Sequence, residues 1–333
     1  MSVQKLSSRF YLSNTALLTL AAIVFAVPAT ACDLVQGASA YAQRAVVAST
    51  WATNASIGEP DGQPSATDTR KELRFTLSTD SNLALSNRFG NISVKPSTGR
   101  QVVIIAIIHG TQDQVQVDSH QHQNNKRVEV ETHILQPGAN TPRVDYEVQM
   151  PADASLTVEC SSGEVRVEGI KGAVNIETET APVTIRNISN GQNVRVQTVS
   201  GFVNLNGLKF TNVEVTSIGG DVELYSVNGN NVDVNTTSGK IRYTGNFLGG
   251  GQYKFRNHTG DMDILIPANA SVEVNAKSHK GTVDNDFPAD PAFRGKINVP
   301  SFQTTGAVND TSKRGDSRVD LRSFSGKIRV KKQ

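Results

Sequence analysis

Six histidines, two cysteines and a scatter of carboxylates are the groups in this 333-residue sequence whose types and spacing invite chemistry. His120-Gln-His122 is the most metal-like pair, with His109 and His133 near in sequence. Alternate residues of a strand share a face, so two imidazoles at this spacing can meet one ion. Yet Asp118 to Lys126 reads as a polar hairpin tip, and no third ligand is spaced to match. The expectation is solvated loop histidines and no metal site. Asp221, Asp261 and Asp263 raise glycan hydrolysis, which needs two carboxyl groups across one bond. Sequence spacing puts Asp221 and Asp261 two repeat units apart, about 10 Å, which suits retaining chemistry poorly, and no aromatic platform accompanies them. Strand-turn nucleophile, zinc-helix and phosphate-loop motifs are absent; Gly239-Lys240 and Gly326-Lys327 are each followed by Ile and lack an upstream glycine. No catalytic, cofactor-binding or metal residue is assigned.

Both cysteines have other readings. Cys160 closes the alternating run Leu156-Thr-Val158-Glu-Cys160 and reads as a small core residue. Cys32 follows Ala29-Thr30-Ala31. Lys5 and Arg9 precede the uncharged apolar run Thr15–Val27, which Pro28 ends. This is the pattern of a secretory leader cut after Ala31, and the run is too short to span a bilayer comfortably. Export follows, to the periplasm, outer membrane or cell surface. Ala29-Thr30-Ala31-Cys32 is also similar to a bacterial lipoprotein box, which makes Cys32 the candidate lipidation residue. An uncleaved anchor helix and a cut after Ala42 are the alternatives.

These few reactive groups sit in a sequence built for strands. Aromatics are 6% of residues, and Lys plus Arg (33) nearly balance Asp plus Glu (31). So even a balance argues against a nucleic-acid footprint or a membrane-surface patch. Glycines at 163, 201, 220, 239, 260 and 281 recur at intervals of 38, 19, 19, 21 and 21, with Ala181 filling the gap. Apolar pairs stand seven and five residues before each, as in Val194/Val196 and Val213/Val215, and two and four after, as in Val203/Leu205 and Val222/Leu224. A further apolar residue often follows at +7, as at Ile170, Ile188, Leu208 and Val227. The template recurs around Gly90 and Gly326.

Each apolar pair is a short strand facing inward on alternate residues, and the glycine marks the corner where φ is expected to turn positive. One unit buries about five aliphatic side chains at roughly 1.5–3 kcal/mol each. Ordering some twenty residues costs about 1–2 kcal/mol apiece, so a lone coil does not fold and the coils must stack. The expected fold is all-β: a parallel β-solenoid of about 20-residue coils with N-terminal capping strands. An antiparallel sandwich or barrel is the competing architecture. The expected organisation is a signal peptide at 1–31, a disordered tether at 32–70, an N-terminal β region with the first repeat and capping strands at 71–155, and solenoid repeats at 156–333. An irregular excursion at 286–316 precedes the last coil. The alternating cations Lys327, Arg329, Lys331 and Lys332 read as charges protecting a terminal edge. His258 and His279, at turns of successive units, read as a surface ladder.

Tyr146-Glu-Val148-Gln-Met150-Pro151, then Leu156-Thr-Val158, then Ser161-Ser-Gly163-Glu-Val-Arg-Val carries a resemblance to the DUF4097 family of bacterial adhesin-like β-strand repeat proteins. Ser238-Gly-Lys-Ile-Arg242 and Ser325-Gly-Lys-Ile-Arg329 match it too, over roughly residues 80 to 333. The resemblance implies a β-solenoid at the cell envelope and supplies no catalytic residues. The functional expectation is a non-catalytic envelope solenoid, adhesin-like or structural. Its expected partner is an extended glycan or an envelope protein, with no nucleic acid and no membrane contact beyond a leader or lipid anchor. A carbohydrate-active enzyme on the same scaffold and an envelope-stress sensor are the alternatives.

Overall fold

The computed structural model describes residues 68–110, 112–122, 124–135, 141–268, 270–287, 301–306 and 317–333. The leader, Cys32 and most of the tether segment lie outside the described residues. The strands are β1 (Thr69–Thr76), β2 (Asn82–Phe89), β3 (Ile92–Ser97), β4 (Gln101–His109), β5 (Val115–Gln121), β6 (Arg127–Ile134) and β7 (Arg143–Pro151). The repeat strands follow as β8 (Ser155–Ser162), β9 (Val165–Glu168), β10 (Val174–Thr178), β11 (Val183–Thr198), β12 (Val203–Ser217), β13 (Val222–Thr236), β14 (Ile241–Thr244), β15 (Gln252–Asn257) and β16 (Met262–Ile266). The chain closes with β17 (Val272–Ser278), β18 (Val283–Asn285), β19 (Ser301–Gly306), β20 (Ser317–Ser323) and β21 (Ile328–Lys332). Among the described residues there is no α-helix, and no helix is long and apolar enough to cross a membrane.

The strands form two parallel ladders, one on each side of the glycine corner. Residues before the glycines build the first ladder, in the order β6, β2, β8, β10, β11, β12, β13, β15, β20, β17. Residues after them build the second, in the order β7, β3, β9, β11, β12, β13, β14, β16, β21, β18. Strands β11, β12 and β13 are long enough to serve both. Antiparallel strands flank the ladders: β5 on β6, β4 on β7 with β1 on β4, and β19 on β17. The protein is thus an open, all-β, solenoid-like stack.

The register explains the inward doublets. Val183 pairs with Val203, Val203 with Val222, Val222 with Ile241, and Ile241 with Met262, so like side chains pile up along one axis. Nearly every residue of the template is buried, Val203, Leu205, Val222 and Leu224 all at 0% exposure; Val283, on the short strand β18, is only partly buried. Where the coil after β14 widens, Tyr243, Phe247, Tyr253 and Phe255 fill it with tilted and edge-on ring contacts. The buried Tyr253 hydroxyl donates to the Gly229 carbonyl at 2.8 Å and accepts the Leu248 N–H at 2.8 Å.

Spatial order departs from chain order at both ends. The Gly90 coil (β2, β3) lies between β6/β7 and β8/β9. The Gly326 coil (β20, β21) lies between the Gly260 coil and the Gly281 coil, and is not terminal. Repeat units share one template, so a unit can stack beside one that is not its neighbour in the chain. The stretch 286–316 contains β19 and returns the chain to the gap between β15 and β17. This corrects the reading of the closing cations. Strand β21 is an inner strand, and its cations neutralise neighbours: Arg329 meets Asp263 at 2.6 Å and Asp261 at 2.9 Å, and Lys331 meets Asp286 at 3.1 Å.

The glycines are also explained differently from expectation. Gly90 and Gly163 have φ near +123°, but Gly201, Gly220, Gly239, Gly260, Gly281 and Gly326 do not lie in the left-handed region. What they share is crowding by the coil beneath. A Cβ on Gly220 would lie 1.9 Å from the Gly201 carbonyl oxygen, and one on Gly239 would lie 2.0 Å from that of Gly220. At these glycines the corner stacks backbone directly on backbone where a Cβ would collide; Ala181 keeps its Cβ at the equivalent corner of its own coil.

Candidate functional site

The structure separates the candidate reactive groups. His109 lies between two carboxylates, Nδ1 at 3.1 Å from Asp68 and Nε2 at 2.9 Å from Asp145, and so fastens β4 to β7 and to the start of β1. His122 is 3.7 Å from Glu129, and His133 is 3.6 Å from both Asp118 and Glu131, all at exposed side chains or nearly so. His120 is exposed. No group of three His, Cys, Asp or Glu side chains among the described residues could hold a metal ion.

Cys160 is buried, as its run implies, but it occupies a polar row. Three residues before each corner glycine or alanine stands Thr178, Thr198, Ser217, Thr236, Asn257, Ser278 or Ser323, all buried. Thr198 and Thr236 each accept the N–H of the following glycine at 2.9 Å, and Ser217 donates to the Gly220 carbonyl at 2.8 Å. The row supplies hydrogen-bond partners to the buried backbone of the corner. Cys160 fills the same place with a weak donor, 3.5 Å from the Ser162 carbonyl. Burial pushes its thiol up to about 11, against a smaller opposing pull from the Ser162 backbone hydrogen bond, so it is neutral and unreactive near pH 7. The signal was in the sequence: a hydroxyl or amide residue recurs three positions before the glycines.

The outer face of the second ladder carries the acidic candidates. In register order it reads Glu223, Arg242, Asp263, Arg329, Asp284, a row of alternating sign. Asp263, with a side chain 14% exposed, meets Arg329 at 2.6 Å, Lys240 at 3.1 Å and Arg242 at 3.8 Å. Burial alone would raise its carboxyl, but hydrogen bonds and charge from Arg329 and Lys240 outweigh it and hold the group below the usual carboxylate range. Asp261 shares Arg329, while Asp221 accepts the Lys240 backbone N–H at 2.7 Å one coil away. A glycosidase acid needs the opposite environment, a carboxyl whose pKa is raised. This arrangement locks coils together.

The outer face of the first ladder is organised by charge along the stack. In register order, the row four positions before the corner has Glu131, Ser86, Glu159 and Glu177 toward one end. Gln197, Thr216 and Asn235 follow in the middle, and Arg256, Arg322 and Lys277 at the other end. The side chains of Glu159, Glu177 and Glu179 have no hydrogen bond or ion pair among the described residues. They line a shallow open groove of about 520 Å³ that runs to Val199 and Ile218. Val199 (48% exposed) and Ile218 (54%) stand next to each other on the corner. Farther along the same corner Phe324 stacks between His258 (4.7 Å, 5°) and His279 (5.3 Å, 21°), with the Lys280 ammonium 4.9 Å from its ring centroid. The expected His258–His279 ladder therefore has a phenylalanine rung, because the Gly326 coil is interposed.

Residues 80–331 match the Toastrack DUF4097 family. No curated protein matches the chain. Among solved structures, a candidate adhesin of Bacteroides fragilis NCTC 9343 aligns over 81% of this chain and 100% of its own, at 13% identity and a TM-score of 0.45. A candidate cell adhesion protein of Clostridium sporogenes ATCC 15579 aligns over 80% of this chain and 100% of its own, at 10% identity and a TM-score of 0.27.

Proposed function

The chain belongs to the Toastrack DUF4097 family, and from that premise we propose that it is a non-catalytic protein of the cell envelope, adhesin-like or structural. It holds an extended glycan or an envelope protein along its stack. The observation that carries this reading is the fate of the carboxylates. Those best placed for hydrolysis, Asp261 and Asp263, are spent on Arg329 and Lys240. Repeated polar side chains at a fixed rung spacing suit a partner that is itself extended, since many weak contacts add along one axis. The leader at 1–31 exports the chain, Cys32 is the candidate lipidation residue it exposes, and 32–70 is the tether. Each coil of about twenty residues adds one rung of about 4.8 Å to the stack, and the antiparallel strands β1, β4, β5 and β19 shield the stack ends from edge-to-edge growth.

The test offers the full chain to an array of extended envelope glycans and to solubilised envelope proteins, with analysis of the glycans for new reducing ends. Retention of a partner without chain shortening is the expected result. Reducing ends released by the parent protein and lost in Asp263→Asn would overturn the reading in favour of an enzyme.

A further inference from the structure

We propose that the outer face of the first ladder is a self-association surface on which two copies of this chain meet face to face. Their stacks run in opposite directions, about a two-fold axis parallel to the strands and midway between the coils of Gln197 and Thr216. Such a rotation keeps each residue's position along its strand and reverses the order of the coils. Every row on this face is then read against its own reverse.

The row four residues before the corner is self-complementary under that operation. Glu159 of one copy faces Arg256 of the other and Glu131 faces Lys277, while Glu177 faces the neutral Asn235 and Ser86 faces Arg322, so no like charges meet. The neutral Gln197 and Thr216 meet at the axis. Two residues farther along, Val199 meets Ile218 twice, bringing the exposed aliphatics together midway along the stack at the corner edge of the patch. Toward the ends of the same row Arg88 comes opposite Phe324. An axis along the stack instead would put Glu159 on Glu159 and Arg256 on Arg256, so charge selects one of the two face-to-face arrangements.

Glu159 and Glu177 are in register on adjacent strands, unpaired by any side chain among the described residues. Like charges so placed repel, and a cation opposite Glu159 eases that repulsion while Glu177 meets the neutral Asn235. Arg256 and Arg322 already touch Asp233 and Asp320 at 2.8 and 2.9 Å. These are half-exposed pairs that hold little energy, and the Arg256 guanidinium fork can take Glu159 as a second carboxylate. The ten ladder strands at about 4.8 Å spacing, with about five residues of width, give a patch of roughly 700 Å² per copy. That is close to the roughly 800 Å² each partner contributes to a standard stable interface.

The experiment is sedimentation velocity of the full chain over a concentration series at low and high salt, with charge reversals. The parent is expected to dimerise, more weakly at high salt. Glu159→Arg and Arg256→Glu should each weaken the dimer about tenfold, because the two-fold repeats every contact. The double variant Glu159→Arg/Arg256→Glu should restore it, and Ile218→Lys should abolish it while leaving the circular dichroism spectrum unchanged. A parent monomeric at every concentration, a dimer indifferent to these changes, or a double variant no better than the singles would each overturn the proposal.

Discussion

Adjacent glycines at one corner give a sharp test of the packing. A Cβ at Gly220 would lie 1.9 Å from the Gly201 carbonyl oxygen and 2.7 Å from its carbon, whereas one at Gly219 would meet nothing closer than 3.7 Å. Neither residue has a left-handed φ. An ordinary contact begins near 3.4 Å, so Gly220→Ala must drive the coils apart locally by about 1.5 Å. The corner hydrogen bonds Gly219 N–H to Val199 O (2.7 Å) and Ile218 N–H to Thr198 O (3.2 Å), which join these two coils, would not survive that shift. Two lost bonds at about 1 kcal/mol each, plus overpacking strain of about 1–3 kcal/mol, give a destabilisation of about 3–5 kcal/mol. Gly219→Ala should be neutral or stabilising by about 0.4–1 kcal/mol through the unfolded state. Urea unfolding followed by circular dichroism reads the difference as a midpoint shift of about 1 M or more for Gly220→Ala, and little for Gly219→Ala. Gly220→Asn should be at least as damaging as Gly220→Ala. Equal tolerance at 219 and 220, or an Asn clearly milder than Ala, would refute the close-approach argument and return the explanation to backbone conformation.

Val203→Asp buries a charge at a fully enclosed site and should unfold several coils together, while Asn206→Asp, exposed and beside Arg186 in register, should shift thermal midpoints little. Asp263→Asn should cost about 1 kcal/mol or more near pH 7, because Arg329 and Lys240 lose their shared carboxylate. Since the folded carboxyl is held low, its stabilising contribution is present above the unfolded value near 3.9 and fades as pH falls through the folded one. Parent and variant stabilities should therefore converge in acid, and a gap that widens there would contradict the ion-pair assignment. Cys160→Ser should change stability by no more than about 1 kcal/mol, since the hydroxyl takes the place of Ser217 in the corner row. The native thiol should resist a thiol reagent at pH 8 until the protein unfolds.

The inward doublets were legible because a period of two against a fixed glycine register leaves little freedom, and the buried face matches it from Leu83 to Val330. The order of the coils was not. Units around Gly260, Gly281 and Gly326 carry the same template, and nothing local says that Phe324 will slide between His258 and His279. Consequently Lys327, Arg329 and Lys331 read as edge charges, when their carboxylate partners sit on two different neighbouring coils. The glycines were found but misexplained, since a sequence cannot distinguish a residue kept for its φ from one kept for a carbonyl above its Cα. The charge gradient of the first face becomes visible only when residues four before each corner are aligned.

The register and order of the stack decide which residues share a face, and disulfide trapping measures them directly. The structure places Arg256 beside Arg322 and Arg322 beside Lys277 on adjacent parallel strands, with Arg256 and Lys277 two strands apart. Strands about 4.8 Å apart fall within disulfide reach, and about 10 Å does not. Arg256→Cys/Arg322→Cys should therefore close an intramolecular disulfide on mild oxidation, and Arg256→Cys/Lys277→Cys should not. The reverse pattern would mean that the coils stack in chain order, and would contradict the account.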